Sequence, residues 1–134
     1  MKIRVGFVTN SSSTSFLILA RDELNEEAFL TLMGVAPSSP IADLFRELFS
    51  DIIESSRCVD LARVDRRVSP EAWFDGKQLS PTIVERLRLA AGQGLKAYFG
   101  HLSSDEGPVQ SFFCTDAFEI ENESIYFNCL ECVW

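Results

Sequence analysis

The chain has 134 residues, of which 46% are apolar and 24% are charged, and its formal net charge is −8. This length suits a single domain, residues 1–134, with enough apolar surface for a core, and the composition excludes an intrinsically disordered chain. The apolar run at residues 16–20 is much shorter than the roughly 20 residues of a membrane-spanning helix, and a signal peptide also needs a longer one. We therefore expect a cytoplasmic domain that does not enter a membrane.

Charge is distributed unevenly along the chain. Residues 57–96 carry a net charge of +3, whereas residues 97–134 contain no Lys or Arg and carry −7. An acidic segment of this kind repels phosphate backbones, so nucleic acid is not an expected partner. An anion could dock only near the arginines of the middle segment, and these could equally form a solvated face that balances Asp60 and Asp65. The arginines are Arg57, Arg63, Arg66 and Arg67.

The first elements are predicted to be two strands followed by a helix. Ile3, Val5 and Phe7 alternate with polar residues or glycine, which indicates a half-buried strand, and residues 16–20 read as a strand buried on both faces. We expect a hairpin with a long loop, or two strands broken by a bulge. A helix should begin near Asp22 and end at Gly34.

The second helix has the most regular pattern in the sequence. Ser39 is a suitable cap and Pro40 fits the first turn, where its missing amide hydrogen costs nothing. Apolar residues then recur at helical spacing, so this face should pack on the sheet, with a dimer interface as the alternative. These residues are Ile41, Leu44, Phe45, Leu48, Phe49, Ile52 and Ile53.

The second half of the chain should hold one more long helix and several strands. Residues 57–68 fit neither period, but Ser80 and Pro81 again form a cap followed by proline, and Gly92 and Gly94 should end that helix. Residues 95–100 and 109–114 are β-like, and residues 118–128 predict a tight hairpin. The expected fold is α+β, with a mostly antiparallel sheet of N-terminal strands and C-terminal hairpins, packed by about three helices on one face.

The most unusual segment follows the first strand. Residues 6–16 read GFVTNSSSTSF, and they resemble an N-terminal signature that opens many otherwise dissimilar uncharacterised bacterial and phage proteins. The resemblance covers about residues 1–18. It implies a prokaryotic origin and carries no activity, cofactor or catalytic residue to this chain.

Three interpretations of this serine-rich segment remain open. Asn10, Ser11, Ser12 and Ser13 could form a nest of amides and hydroxyls that contacts an anionic ligand, although the glycines and lysine of a P-loop are absent. The serines could instead be sites of modification. They could also simply satisfy the backbone of their own loop.

The cysteines are candidate ligands for a metal ion. Cys129 and Cys132 form one C-x-x-C pair, and structural zinc usually takes two such pairs. Cys114 and His101 are the candidates to complete the set, with Cys58 as a further possibility. Buried small apolar side chains and redox chemistry are the alternatives.

His101 is the one histidine and could take part in catalysis. With Asp105 and a Cys or Ser nucleophile it could form a hydrolase-like arrangement, although no nucleophile-elbow motif is present. A hydrogen-bonded histidine with no chemical role is the alternative.

The predicted function is that of a binding or regulatory module, which binds a protein partner or a second copy of this chain. The acidic C-terminal sheet, with Trp134, Tyr126 or Phe112 as aromatic anchors, could bind a basic protein. A small enzyme that uses His101 and Asp105 is the first alternative. A structural zinc domain that uses Cys114, Cys129 and Cys132 is the second.

Overall fold

Six strands and four helices make up the described part of the chain in the computed structural model, which covers residues 2–7, 13–74, 76, 78–103 and 116–129. In chain order the elements are β1 (Lys2–Phe7), β2 (Ser13–Ala20), α1 (Glu26–Met33), α2 (Ala42–Ser55), β3 (Arg57–Asp60), α3 (Pro70–Trp73), α4 (Pro81–Gly92), β4 (Lys96–Ser103), β5 (Asp116–Glu121) and β6 (Ile125–Asn128).

The six strands form one antiparallel sheet in the order β1-β5-β6-β2-β4-β3. Strand β2 lies in the middle, between β6 and β4, and residues 16–20 are buried. Its continuous apolar run therefore has a simple cause, because a central strand that is covered on both faces has no solvent side. The predicted hairpin at residues 118–128 is confirmed as β5 and β6, with Glu121 paired to Tyr126.

The predicted hairpin of the first two strands is wrong. Strand β1 pairs with β5, with Lys2 opposite Glu121 and Phe7 opposite Asp116. Strand β2 pairs instead with β4 and β6. Alternation identifies a strand but does not name its neighbour, and a partner more than a hundred residues away leaves no local signal.

Helices α1 and α2 cover one face of the sheet. Phe16, Ile18 and Ala20 of β2 point into this core, where they meet apolar residues from both helices. Three aromatic rings meet at its centre, with Phe29 of α1 within 5.4 Å of Phe49 and 6.2 Å of Phe127. We refer to α1 and α2, together with their flanking residues 21–56, as the acidic layer.

Helices α3 and α4 cover the opposite face. Leu17 and Leu19 of β2 point into this second core, and the ring of Phe74 meets Phe99 edge-on at 4.5 Å. The α+β class is confirmed, but the expectation that the helices share one face is wrong. A central strand that is apolar on both sides requires a helical layer on each side.

Local capping signals explain both ends of α1 and the start of α4. Ser80 caps α4 by accepting the amide of Ile83, as predicted. Gly34 ends α1 at φ 71°, a conformation that favours glycine. Helix α1 begins later than predicted because Asn25, not Asp22, accepts the amide of Ala28. Helix α2 begins at Ala42 with Ile41 at its N-cap position and no side-chain cap, so the predicted cap at Ser39 is wrong. Ser39 instead accepts the amide of Ile41, before the helix begins.

Among the described residues, no helix combines the length and the apolar character that a membrane span requires.

Candidate functional site

Much of the predicted serine-rich and C-x-x-C chemistry lies outside the described residues. This is the case for Asn10, Ser11, Ser12, Asp105, Cys114 and Cys132, and for the proposed anchors Phe112 and Trp134. Ser13 is described as the first residue of β2, where it is paired with Ser103 of β4.

His101 lies on β4 with an exposed side chain, directly opposite Ser15 of β2. Residues opposite each other in an antiparallel pair share a face of the sheet and have Cβ atoms about 5 Å apart. The structure therefore brings together a histidine and a buried serine. Asp105, the third residue of the predicted arrangement, lies outside the described residues.

The described cysteines lie far apart. Cys58 is exposed on the outermost strand β3, whereas Cys129 follows β6 and is buried in the core beneath α1 and α2. Strands β2 and β4 lie between them, which separates them by three strand spacings of about 4.8 Å. Within the described ranges, no three His, Cys, Asp or Glu side chains are grouped as a metal site would require.

The acidic layer concentrates negative charge on one side of the molecule. Residues 21–56 contain eight acidic side chains and two arginines, a net charge of −6. Glu47, Asp51 and Glu54 of α2 follow at i, i+4 and i+7, so they form one line along the helix, which we call the acidic stripe. Within the described part of the chain, none of these three carboxylates takes part in an ion pair.

Arg46 is the single basic residue of α2, and it does not neutralise this stripe. Its guanidinium contacts Asp43 at 2.7 Å and Glu26 at 3.2 Å, and it donates to the carbonyl of Pro37 at 2.9 Å. These contacts fix Arg46 at the N-terminal end of α2, where it joins the helix to α1. The negative field of the acidic stripe therefore remains directed at solvent.

Exposed apolar side chains lie on both margins of the helix. Leu44, one turn before Glu47, is 39% exposed, and Ile53 on the other margin of the helix is 38% exposed. The expectation that all seven apolar positions pack on the sheet is correct for Leu48 and Ile52, which are buried, and wrong for Leu44, Ile53 and Ile41. Seven positions cover a wider arc of the helix than the sheet and α1 contact.

A polar cluster lies on the opposite face of the sheet. The Tyr126 hydroxyl donates to Glu119, and the fully buried Asn128 amide donates to Glu119 at 3.2 Å and to the Tyr126 oxygen at 2.7 Å. Burial raises the pKa of Tyr126, the bond from Asn128 lowers it, and Glu119 raises it further, with a net rise. Tyr126 is only 5% exposed, so its predicted role as an exposed anchor is wrong.

Arg86 connects α4 to this cluster. It forms two hydrogen bonds with Glu121, at 3.2 and 3.3 Å, and its guanidinium carbon lies 4.3 Å from the centre of the Tyr126 ring. Burial alone would lower the pKa of Arg86, but the bonds and charge of Glu121 outweigh burial and raise it. Arg86 is therefore a cation held between a carboxylate and an aromatic face.

A cleft of about 240 Å³ opens beside Arg86, between the end of α4 and the β5–β6 turn. Leu19, Leu89 and Leu95 give it an apolar wall, and Arg21 and Glu123 are among its charged residues. Sequence reasoning missed this cleft because its residues come from four separate segments. No local pattern brings those segments together.

The arginines between β3 and α3 form a solvated surface with their acidic neighbours. Arg63 lies 3.6 Å from Asp60 and Arg67 lies 3.1 Å from Asp65. The side-chain and backbone hydrogen bonds from Arg67 lower the pKa of Asp65. These contacts agree with the interpretation of these arginines as a face that balances Asp60 and Asp65.

Comparisons of this chain with protein-family models, with curated proteins and with solved structures give no match.

Proposed function

We propose that the protein is a non-enzymatic binding or regulatory module that docks a basic protein partner on the acidic layer. The observation that carries the proposal is the acidic stripe of Glu47, Asp51 and Glu54, which lies beside exposed Leu44. The proposal moves the docking surface from the C-terminal sheet to α2, because Tyr126 is buried.

Electrostatics and apolar contact have different roles in this proposal. Carboxylates without intramolecular partners steer a basic surface during encounter and suppress neutral or acidic competitors. Leu44 and Ile53 then lose solvent contact in the complex, at about 25 cal/mol per Å² of apolar area buried. The same negative field disfavours nucleic acid as a partner.

Three further statements belong to the same proposal. The GFVTNSSSTSF segment supports a relation to the uncharacterised bacterial and phage proteins that share this opening. The short apolar run at residues 16–20 supports a cytoplasmic location. Asn10, Ser11, Ser12 and Ser13 remain proposed sites of ligand contact or modification.

Capture from cytosol of the native host tests the docking surface with a matched pair of variants. Glu47→Lys changes the charge of the acidic stripe, and Glu85→Lys makes the same change at an exposed position of α4 on the other side of the sheet. We expect wild type and Glu85→Lys to retain the same basic protein, and Glu47→Lys to retain at least about fivefold less of it, measured by quantitative mass spectrometry. Raising the salt to about 0.5 M should weaken retention by wild type, because the Debye length then falls to a few ångströms.

Equal loss in both lysine variants would contradict a docking surface on α2. Retention of an acidic protein, or retention that salt does not affect, would contradict the chemistry of the proposed partner.

A small hydrolase is the second candidate, and the pairing of Ser15 with His101 favours it. A serine and a histidine on one face of the sheet could act as nucleophile and base if the substrate brings them within hydrogen-bond reach. Hydrolysis of activated esters that His101→Ala abolishes, without loss of folding, would support this candidate, and the same loss in Asp105→Ala would support Asp105 as the third group. Activity that His101→Ala retains would remove it.

A structural zinc site remains a proposal that rests on Cys114, Cys129 and Cys132. Native mass spectrometry of protein prepared without chelator tests it. One zinc per chain, lost in Cys129→Ser, would support the site, and a metal-free native mass would contradict it.

A further inference from the structure

The cleft beside Arg86 shares Arg21 with the acidic layer but differs from the surface of α2 in shape and in charge. It is concave, holds about 240 Å³ and is lined by Leu19, Leu89 and Leu95 on one side. Leu89 is 59% exposed, a large fraction for an apolar side chain. A ligand in the cleft would remove this leucine from water, a gain roughly proportional to the apolar area covered.

Two of the four charged groups of the cleft are already engaged with each other. Arg86 and Glu121 form a two-bond ion pair and make a neutral wall. Arg21 and Glu123 differ, because the structure gives neither of them an ion pair with any described residue. The cleft therefore presents one cation and one anion that can bind a ligand.

The β5–β6 turn holds Arg21 in place and fixes the backbone that carries Glu123. The Nε of Arg21 donates to the carbonyl of Glu123 at 3.3 Å, and the backbone amide of Arg21 donates to Ser124 at 3.2 Å. Asn122 accepts the amides of Ser124 and Ile125, both at 2.9 Å, which fixes the turn itself. The terminal nitrogens of Arg21 have no partner among the described residues. Arg21 and the backbone of the turn are thus ordered before a ligand arrives, which lowers that part of the entropic cost of binding.

We propose that this cleft binds a free aliphatic α-amino acid. The guanidinium of Arg21 takes the carboxylate, the carboxylate of Glu123 takes the ammonium group, and the ligand side chain packs against Leu19, Leu89 and Leu95. The volume lies below the range of about 300–1,000 Å³ that drug-sized ligands occupy, which suits a molecule as small as leucine or valine.

The paired charges select a zwitterion over simpler ligands. A carboxylic acid that lacks the ammonium group leaves Glu123 facing its anion, and an amine that lacks the carboxylate leaves Arg21 facing its cation. Glycine satisfies both charges but leaves Leu89 in water. The site is therefore specific for both ends of the ligand and for its apolar side chain.

Calorimetric titration of the full chain with leucine, isoleucine and valine tests the proposal. At least one should bind with a dissociation constant below about 1 mM, while N-acetyl-leucine, leucine amide and glycine bind at least about tenfold more weakly. The capped leucines also separate a free amino acid from a peptide terminus, since each blocks one charge. No heat from any of the three amino acids up to about 10 mM would overturn the proposal. Equal binding of free and capped leucine would overturn it as well.

Three variants locate the binding in this cleft. Arg21→Ala and Leu89→Ala alter exposed side chains, so the chain should still fold, and each should weaken binding of the preferred amino acid about tenfold. Arg88→Ala, an exposed arginine of α4 that does not line the cleft, is the control and should bind as wild type does. Unchanged binding in both cleft variants would place the amino acid elsewhere and overturn the assignment. These results do not depend on the acidic stripe of α2.

Discussion

The two helical layers share one central strand but present opposite surfaces to solvent. The acidic layer carries a net charge of −6 and a convex helix whose carboxylates lie beside exposed apolar residues. The other layer belongs to a segment of net charge +3, and its helix α4 borders a cleft. The difference arises from how each helix meets the sheet. Helix α2 has more apolar positions than the sheet covers, whereas Arg86 of α4 fastens that helix to β5 and leaves a gap beyond it.

The largest effect should come from removing either core, because both layers depend on β2. Phe16→Ala in the core under α1 and α2, and Phe99→Ala in the core under α3 and α4, should each cost about 3–5 kcal/mol in the free energy of unfolding. Urea titration followed by circular dichroism measures both. Leu89→Ala, at an exposed position, is the control and should change it by less than about 0.5 kcal/mol. Separate unfolding of one layer would contradict the dependence of both layers on β2, since it would show that the two cores do not unfold cooperatively.

A glycine marks the closest approach of α2 to the sheet. A Cβ on Gly100 would collide with the carbonyl oxygen of Ser55 at the end of α2 and would lie 3.3 Å from the Phe16 ring. Gly100→Ala should therefore cost about 1–3 kcal/mol in stability. Gly92→Ala is the matched control, because a Cβ there meets only Arg66 at 3.6 Å and alanine favours the helix. Equal stability of the two variants would contradict this contact.

Two buried tyrosines should make stability fall at high pH, namely Tyr126 in the polar cluster on the α4 side and Tyr98 in the core under α1 and α2. The pKa of Tyr126 is raised in the fold, mainly by burial, and the pKa of Tyr98 is raised too, again mainly by burial. The unfolded tyrosines ionise near pH 10. Below that pH the stabilisation of the neutral phenols is fully present. As the pH rises above about 10, each tyrosine should lower the free energy of unfolding by up to about 1.4 kcal/mol per pH unit.

Tyr126→Phe separates the two tyrosines. Between about pH 10 and 11, the free energy of unfolding of this variant should fall less steeply with pH than that of wild type. The difference in slope should be up to about 1.4 kcal/mol per pH unit, which corresponds to one proton. Urea titrations at several pH values measure that slope. A slope unchanged from wild type would mean that Tyr126 ionises as freely in the fold as in the unfolded chain.

The smallest stability effect should come from the acidic stripe itself. Glu47→Lys replaces an exposed side chain without an ion pair, so the free energy of unfolding should change by less than about 0.5 kcal/mol. Thermal denaturation checks this value. A large loss would show that Glu47 supports the fold, and a fall in partner capture could then not be assigned to docking.

Local signals in the sequence predicted most of the secondary structure and little of its arrangement. Ser80 with Pro81 fixes the start of α4, and residues 118–128 fix the β5–β6 hairpin, because both depend on neighbours in the chain. The pairing of β1 with β5 depends on distant segments, so alternation could not predict it. The apolar run at residues 16–20 predicted a strand that is buried on both faces. A helical layer on each side of the sheet could have been inferred from it.

The candidate sites were harder to predict for the same reason. The charge asymmetry along the chain was visible, but its division between the two sides of the sheet required the topology. The cleft joins β2, α4, the start of β4 and the β5–β6 turn, and its charged pair Arg21 and Glu123 has no motif. The exposed state of Leu44 also depends on how far α1 and the sheet extend, which helical periodicity does not report.

Carboxyl footprinting of the complex tests directly whether a basic partner docks on the acidic stripe of α2. Wild-type protein would be labelled at its carboxylates alone and with the captured basic partner, and the labelled sites quantified by mass spectrometry. We expect Glu47, Asp51 and Glu54 to lose reactivity in the complex and Glu85 on α4 to keep it. Protection of Glu85 with unchanged reactivity of the acidic stripe would contradict docking on α2 and would place the partner on the other side of the sheet.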